Sequence, residues 1–134
     1  MKTTFDLLDN LYPVINVSTV TTTLTGAVYR NSKPVNSILR DITVGALPIE
    51  SSADIDLQQG VVVVNCFATD IAPGRPDDAN LNTMASAVIS VLEAYSSTTA
   101  YLDLTINSQG VMEDMDQAGM SYASIRVNCT IQYL

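Results

Sequence analysis

The chain has 134 residues, a length that suits one domain over 1–134, and on folding such a chain buries roughly two thirds of its unfolded surface, enough for a core without a disulfide or a metal. Hydrophobic residues make up 47% and charged residues 15%, which is too apolar for disorder, and no uncharged apolar run is long enough to suggest a membrane span. Six Lys and Arg against 14 Asp and Glu leave a net charge of -8, which opposes tight binding to phosphate backbones, and the lack of histidine removes the imidazole-based triads and most catalytic zinc sites.

Phe5, Leu8, Leu11 and Tyr12 recur at helical spacing behind the capping pattern Thr3-x-x-Asp6, and Pro13 predicts that this helix ends by about Tyr12. From Val14 to Thr25 the segment is uncharged and rich in Thr, Ser and Val, so it reads as extended chain. Gly26 to Arg30 reads as a strand stopped by the turn-forming cluster Asn31-Ser32-Lys33-Pro34. Ile42, Val44 and Ala46 then share one face of a second strand over about 41–49, limited by Pro48.

Gly60 opens the run Val61 to Ala68, apolar on both faces, as expected of a strand central to a sheet. Pro73, Gly74 and Pro76 make 71–78 a loop, and Asp77 or Asp78 can cap the helix that follows. Leu81, Met84, Ala85, Val88, Leu92 and Tyr95 draw the apolar stripe of that helix, near 79–96. Two half-buried strands close the chain, one through Leu102, Leu104 and Ile106 and one through Ile125, Val127, Cys129, Ile131 and Tyr133, with the acidic stretch Glu113 to Gly119 as the exposed tip between them. The expected fold is α+β, a single mixed, largely antiparallel sheet with two helices packed against it in the order α-β-β-β-α-β-β.

Cys66 and Cys129 each fall inside a strand pattern, which predicts buried, reduced and poorly reactive thiols, with a disulfide as the alternative. Met1 to Asp6 lack a basic region followed by an apolar run, so a cytoplasmic product is expected.

Motifs that carry chemistry are weak throughout. Asp54, Asp56, Gln58 and Gly60 resemble the opening of a calcium loop, but the glycine is one position late and Asn65 stands where the closing Glu belongs. Asp114, Asp116 and Gly119 place the glycine correctly, yet Ala118 replaces an oxygen ligand and Ile125 the closing one. Neither G-x-x-x-x-G-K-[ST] nor G-x-G-x-x-G occurs, and paired carboxylates in Ser- and Gly-rich loops give no sign of the buried member that acid–base chemistry needs. No catalytic, cofactor-binding or metal residue is therefore assigned, no cofactor is expected, and the reading is that this is not an enzyme. The candidate assembly surface is the tip Glu113, Asp114 and Asp116, whose crowded carboxylates need solvent, a cation or a basic partner; next is the loop with Asp70, Arg75, Asp77 and Asp78.

The succession Val28-Tyr29-Arg30, Lys33-Pro34, Asp41-Ile42-Thr43-Val44, Leu47-Pro48-Ile49 and Gln59 to Asn65 resembles the tail terminator, or tail completion, proteins of long-tailed phages. The likeness continues through the loop from Asp70 to Asp78, the helix from near Leu81 and the strand Ser124 to Cys129, but does not extend to Ser18–Thr25. It implies a virion structural protein made in the host cytoplasm that forms a ring, commonly hexameric, at the head-proximal end of the tail. The implied partners are the tail tube protein and a neck or connector protein, with DNA passing through the lumen without specific binding and no membrane involved. The net charge of -8 suits a lumen that phosphates must slide past. Competing readings are a binding module for a small ligand or a protein, and a hydrolase using carboxylates.

Overall fold

The computed structural model describes residues 3–51, 57–95 and 102–132. Helix α1 (Thr4–Ile15) opens with the expected capping box, in which Thr3 Oγ1 accepts from the Asp6 amide and the Asp6 carboxylate accepts from the Thr3 amide. It does not stop at Tyr12. Pro13 sits inside its last turn, and the Asn16 amide still reaches the Tyr12 carbonyl at 2.8 Å. Only the carbonyl of the exposed Asp9 loses its intrahelical donor, and Ile15, fully buried one turn after Leu11, compensates by packing.

The segment after it is not extended as composition predicted. Ser18–Thr21 forms a one-turn helix, α2, with Val20 fully buried beneath it, so the burial of one Val outweighs the weak helix preference of Ser and Thr.

Strands β1 (Val28–Arg30), β2 (Ile42–Ala46), β4 (Leu57–Thr69), β6 (Met120–Gln132) and β5 (Leu102–Glu113) lie side by side in the order β1-β2-β4-β6-β5, and the two-residue β3 (Glu50–Ser51) pairs with β4. Among the described strands only β1 and β2 run parallel to each other. β2 ends at Ala46 and not near 49, because Pro48 cannot donate; Leu47 makes a last bond to the Val61 carbonyl at 2.9 Å. The element order thus follows expectation with α2 and β3 added. β4 occupies the expected central place, paired with β6 over thirteen residues from Leu57↔Gln132 to Thr69↔Met120.

Helix α3 (Asp78–Glu93) is capped by Asp77, whose Oδ1 accepts from the Asn80 amide at 3.3 Å, and it buries Leu81, Met84, Ala85, Val88 and Leu92, the stripe read from its periodicity. That stripe and Leu7, Leu11 and Ile15 of α1 pack on one sheet face, against Ile42, Val44, Val62, Val64, Cys66, Ile125, Val127 and Cys129.

Both thiols are buried and free, and burial pushes each up to about 12. The ladder pairs Cys66 with Ala123 and Cys129 with Gly60, six residues apart along each strand, or about 20 Å, well beyond disulfide reach. Asp54 and Asp56 of the first calcium-like pattern lie outside the described residues.

Candidate functional site

Alternation along the strands leaves a second sheet face that no described helix covers. It carries Thr43, Gly45, Val61, Val63, Asn65, Phe67, Tyr122, Ser124, Arg126 and Asn128. At one end of this face three loops converge, the β1–β2 loop, the β4–α3 loop and the β5–β6 tip.

The β1–β2 loop is held from below by Asp41. This carboxylate is fully buried, accepts from the Ala27 amide at 3.0 Å and from Ser37 Oγ at 2.6 Å, and lies so close to Gly26 that a Cβ there would sit 1.6 Å from Oδ1. Glycine at 26 is what lets the carboxylate reach both donors. Asn31 and Asn36, at φ 66° and 61°, turn the loop back over the open face, in the left-handed region that Asn tolerates best among residues with a side chain.

Lys33 clasps that loop to the tip. Its Nζ donates to the Ser37 carbonyl at 2.9 Å and to Gln117 Oε1 at 3.2 Å, and it stands 5.0 Å from the centroid of the Phe67 ring. Gln117 Nε2 returns a bond to the Ser37 carbonyl at 3.2 Å.

The tip and the β4–α3 loop are joined in turn. The Asp70 amide donates to the Gly119 carbonyl at 2.8 Å, and Ser121 Oγ donates to Asp70 Oδ1 at 2.7 Å. The two surfaces nominated from sequence are therefore neighbours in space, which their separation along the chain concealed.

Their members differ in kind. Glu113 and Asp116 are exposed, as expected of a solvated tip, but Asp114 is only 9% exposed: it turns inward and its Oδ1 accepts from the Asp116 amide at 3.0 Å. The tip is thus an Asx-type turn closed by Gly119 at φ 81°, and not three carboxylates facing water. Asp77 is occupied as a helix cap and Asp78 is exposed in the first helical turn. Arg75 is exposed, with its backbone fixed by bonds to Ala72 and Ile71.

Between the β1–β2 loop and the tip lies a cavity of about 440 Å³. Thr43, Asn65, Phe67 and Tyr122 contribute its sheet side, the last two with ring centroids 5.2 Å apart, and Val35, Met115 and Asp116 its loop side. The carboxamide oxygen of Asn65 is itself shielded from solvent and has no hydrogen-bond partner. Among the described residues no group of three or more carboxylates and cysteines is arranged to hold a metal. The chemistry on offer is that of a binding surface with polar groups on the sheet and apolar ones on the loops.

That apolar part extends around the loop end. Val35 is 90% exposed, Met115 88%, Ile38 69% and Ile71 63%, and the Ile38 carbonyl accepts from Thr69 Oγ1 at 3.0 Å, which brings the β1–β2 loop against the start of the β4–α3 loop. Large apolar side chains left in water around one end form the kind of surface that a partner can cover. Sequence reading missed Lys33, Asn65, Gln117 and these four residues. Only their position in turn-rich segments, where no periodicity requires apolar residues, could have singled out the four.

No protein-family model and no curated protein sequence matches the chain. Among solved structures, a chain from the "Virion of native gene transfer agent (GTA) particle" shares the fold with a TM-score of 0.64 at 14% identity, over 92% of this chain and 92% of that one.

Proposed function

We propose that this chain is a structural, non-enzymatic, one-domain subunit of a phage-like virion, a tail terminator or completion protein that closes into a ring, commonly of six, at the head-proximal end of the tail tube. The observation that carries this reading is the shared fold with a chain of a gene transfer agent virion, which spans nearly the full length of both chains. The apolar loop end supplies what a ring subunit needs, a surface stable in water only when another subunit covers it. A net charge of -8 suits a channel through which DNA passes without sticking. On this reading the partners are further copies of the chain, the tube protein and a neck protein, and the acidic residues Asp70, Asp78, Glu113 and Asp116 border the assembly surface or the lumen.

A small-ligand binding module is the second reading, favoured by the 440 Å³ cavity with polar groups on its sheet side and apolar ones on its loops. Light scattering across a concentration series, with electron microscopy of the protein mixed with isolated tails, separates the two. Rings, free or on tail ends, support the virion reading; a monomer at every concentration that leaves tails undecorated sinks it.

A further inference from the structure

We propose that the free edge of β5, together with the groove between β5 and α3, takes up an extended segment of another protein as an added strand, one that sets an aliphatic side chain against Val111 and a basic one against Glu113. This goes beyond the ring reading and concerns a different surface, since the groove and the open-face cavity share no lining residue.

The two edges of the sheet are treated differently. At β1 the outward Val28 carbonyl accepts from the Tyr12 hydroxyl of α1 at 3.0 Å, and Arg30 pairs with Asp9 of the same helix. At the other edge no described strand pairs with β5 apart from β6. The Asp114 amide donates to the Met120 carbonyl at 3.0 Å, one step beyond the pair Glu113↔Ser121. Hydrogen-bonded pairs alternate along an antiparallel ladder, so Ser108, Gly110 and Met112 turn their backbone groups to β6, while Gln109, Val111 and Glu113 turn theirs to the free edge. A bulge between Ile106 and Ser108 interrupts this edge, but the ladder is regular from Ser108 to Glu113. Edges that must stay unpaired are commonly guarded by charge or proline, and Leu104 to Met112 contains neither.

Beside the edge lies a recess for side chains. Gln109 and Val111 pair with Ile125 and Ala123 of the helix side and, with Asn82, Ser86 and Ile89 of α3, line a groove of about 230 Å³. Directly opposed side chains of a ladder lie on one face, so the residue of an added strand opposite Val111 points into this groove, where Ile89 and Val111 offer apolar contact. Backbone pairing then supplies affinity and the groove supplies selection.

Charge selects the occupant. Asp78 borders the groove, Glu113 continues the row of Gln109 and Val111, and both carboxylates are exposed. Among the described residues no Lys or Arg lines the groove. A segment with a basic residue two positions from an aliphatic one matches this row. A second copy pairing through the same edge across a two-fold axis would instead bring another Asp78 and Glu113, on a chain of net charge -8, to a groove that is already acidic.

The test uses a labelled peptide, Ser-Lys-Thr-Val-Thr-Val-Ser with blocked ends, which in antiparallel pairing sets Lys against Glu113 and Val against Val111. Its binding to the intact chain is read by fluorescence anisotropy up to about 5 mM, the weak range expected of a short unstructured segment, and its position by amide hydrogen exchange. Saturable binding with slowed exchange at Gln109, Val111 and Glu113 is expected, and Glu in place of the peptide Lys should weaken it about threefold or more. Val111→Pro removes an amide that faces the free edge and spares the bonds to β6, and Ser86→Arg fills the groove from the helix without touching the ladder; each should abolish binding while the melting temperature stays near that of the wild type. Absence of binding over the whole range, protection elsewhere on the chain, or equal binding by both variants overturns the inference. A wild-type assembly that Val111→Pro dissolves overturns it in favour of a second copy as the occupant. Peptide binding is read without reference to rings on tails, so the ring reading stands or falls separately.

Discussion

The two faces of the sheet are written by alternate residues of the same strands, yet they answer different demands. On the helix side Val62, Val64, Ile125 and Val127 are fully buried and every neighbour is supplied by the chain itself. On the open side Asn65 holds an unsatisfied oxygen, Arg126 stands in water, and the loops above leave Val35 and Met115 almost wholly exposed. The first face is finished by folding; on the proposed function the second is left for association. Substitutions should therefore separate cleanly, with loss of stability from one face and loss of assembly from the other.

The largest effect is expected where that division is sharpest. Leu92→Ala opens a cavity between α3 and the sheet and should cost about 2–5 kcal/mol, read from urea unfolding. A loss below about 0.5 kcal/mol would mean that the helix side is not the stabilising face. Asp41→Ala should cost less, about 1–3 kcal/mol, because the Ala27 amide and the Ser37 hydroxyl lose a buried acceptor while the core stays filled. It tests the boundary between the faces: it should also loosen the β1–β2 loop, seen as faster amide exchange around Lys33, and an unchanged exchange rate would detach Asp41 from the site.

The thiols sharpen the comparison by pH. Both lie on the helix side, with folded values pushed up from 9.0 to about 12 by burial. The folded state therefore keeps its thiol protons where the unfolded chain releases them, so this contribution is complete below about pH 9 and is lost as pH rises towards 12. Alkaline melts of the wild type should fall more steeply than those of the Cys66→Ala, Cys129→Ala variant, and parallel slopes would contradict the burial.

The smallest effect on stability belongs to the loop end. Val35→Ser with Met115→Ser should change unfolding by less than about 0.5 kcal/mol, since both side chains are in water already, while reducing ring formation or tail binding. Glu113→Ser with Asp116→Ser should likewise spare the melting temperature. Adding Asp114→Ser should lower it slightly, because that carboxylate closes the turn. Equal melting temperatures for the two acidic-tip variants would remove the distinction between Asp114 and its neighbours.

The helix side was legible in the sequence because burial on one face imposes a period. The stripe from Leu81 to Leu92 and the alternation around Ile125, Val127 and Cys129 needed no other information. Elements too short to show a period were missed: α2 depends on one buried Val, β3 has two residues, and Pro13 hid the last turn of α1. The open side was nearly illegible for a related reason. Asn65 and Tyr122 occupy the outward positions that polar and aromatic residues commonly take, and what sets them apart is the cavity that the two loops build above them. The acidic tip was visible as charge, whereas the inward turn of Asp114 depends on a backbone bend that composition does not encode.

The position of β6 has a consequence in time. It lies between β4 and β5 in the sheet, although it follows both along the chain, and among the described strands β5 pairs with nothing else. While the ribosome is still making residues 120–132, β4 has one edge unpaired and β5 is unattached. The thirteen-residue ladder from Leu57↔Gln132 to Thr69↔Met120 then joins segments at least fifty residues apart, a long-range closure of the kind that slows folding. Until β6 inserts, the apolar strand 61–68 presents an open edge to other nascent chains, so folding yield should depend on temperature and expression rate more than the stability of the finished fold would suggest.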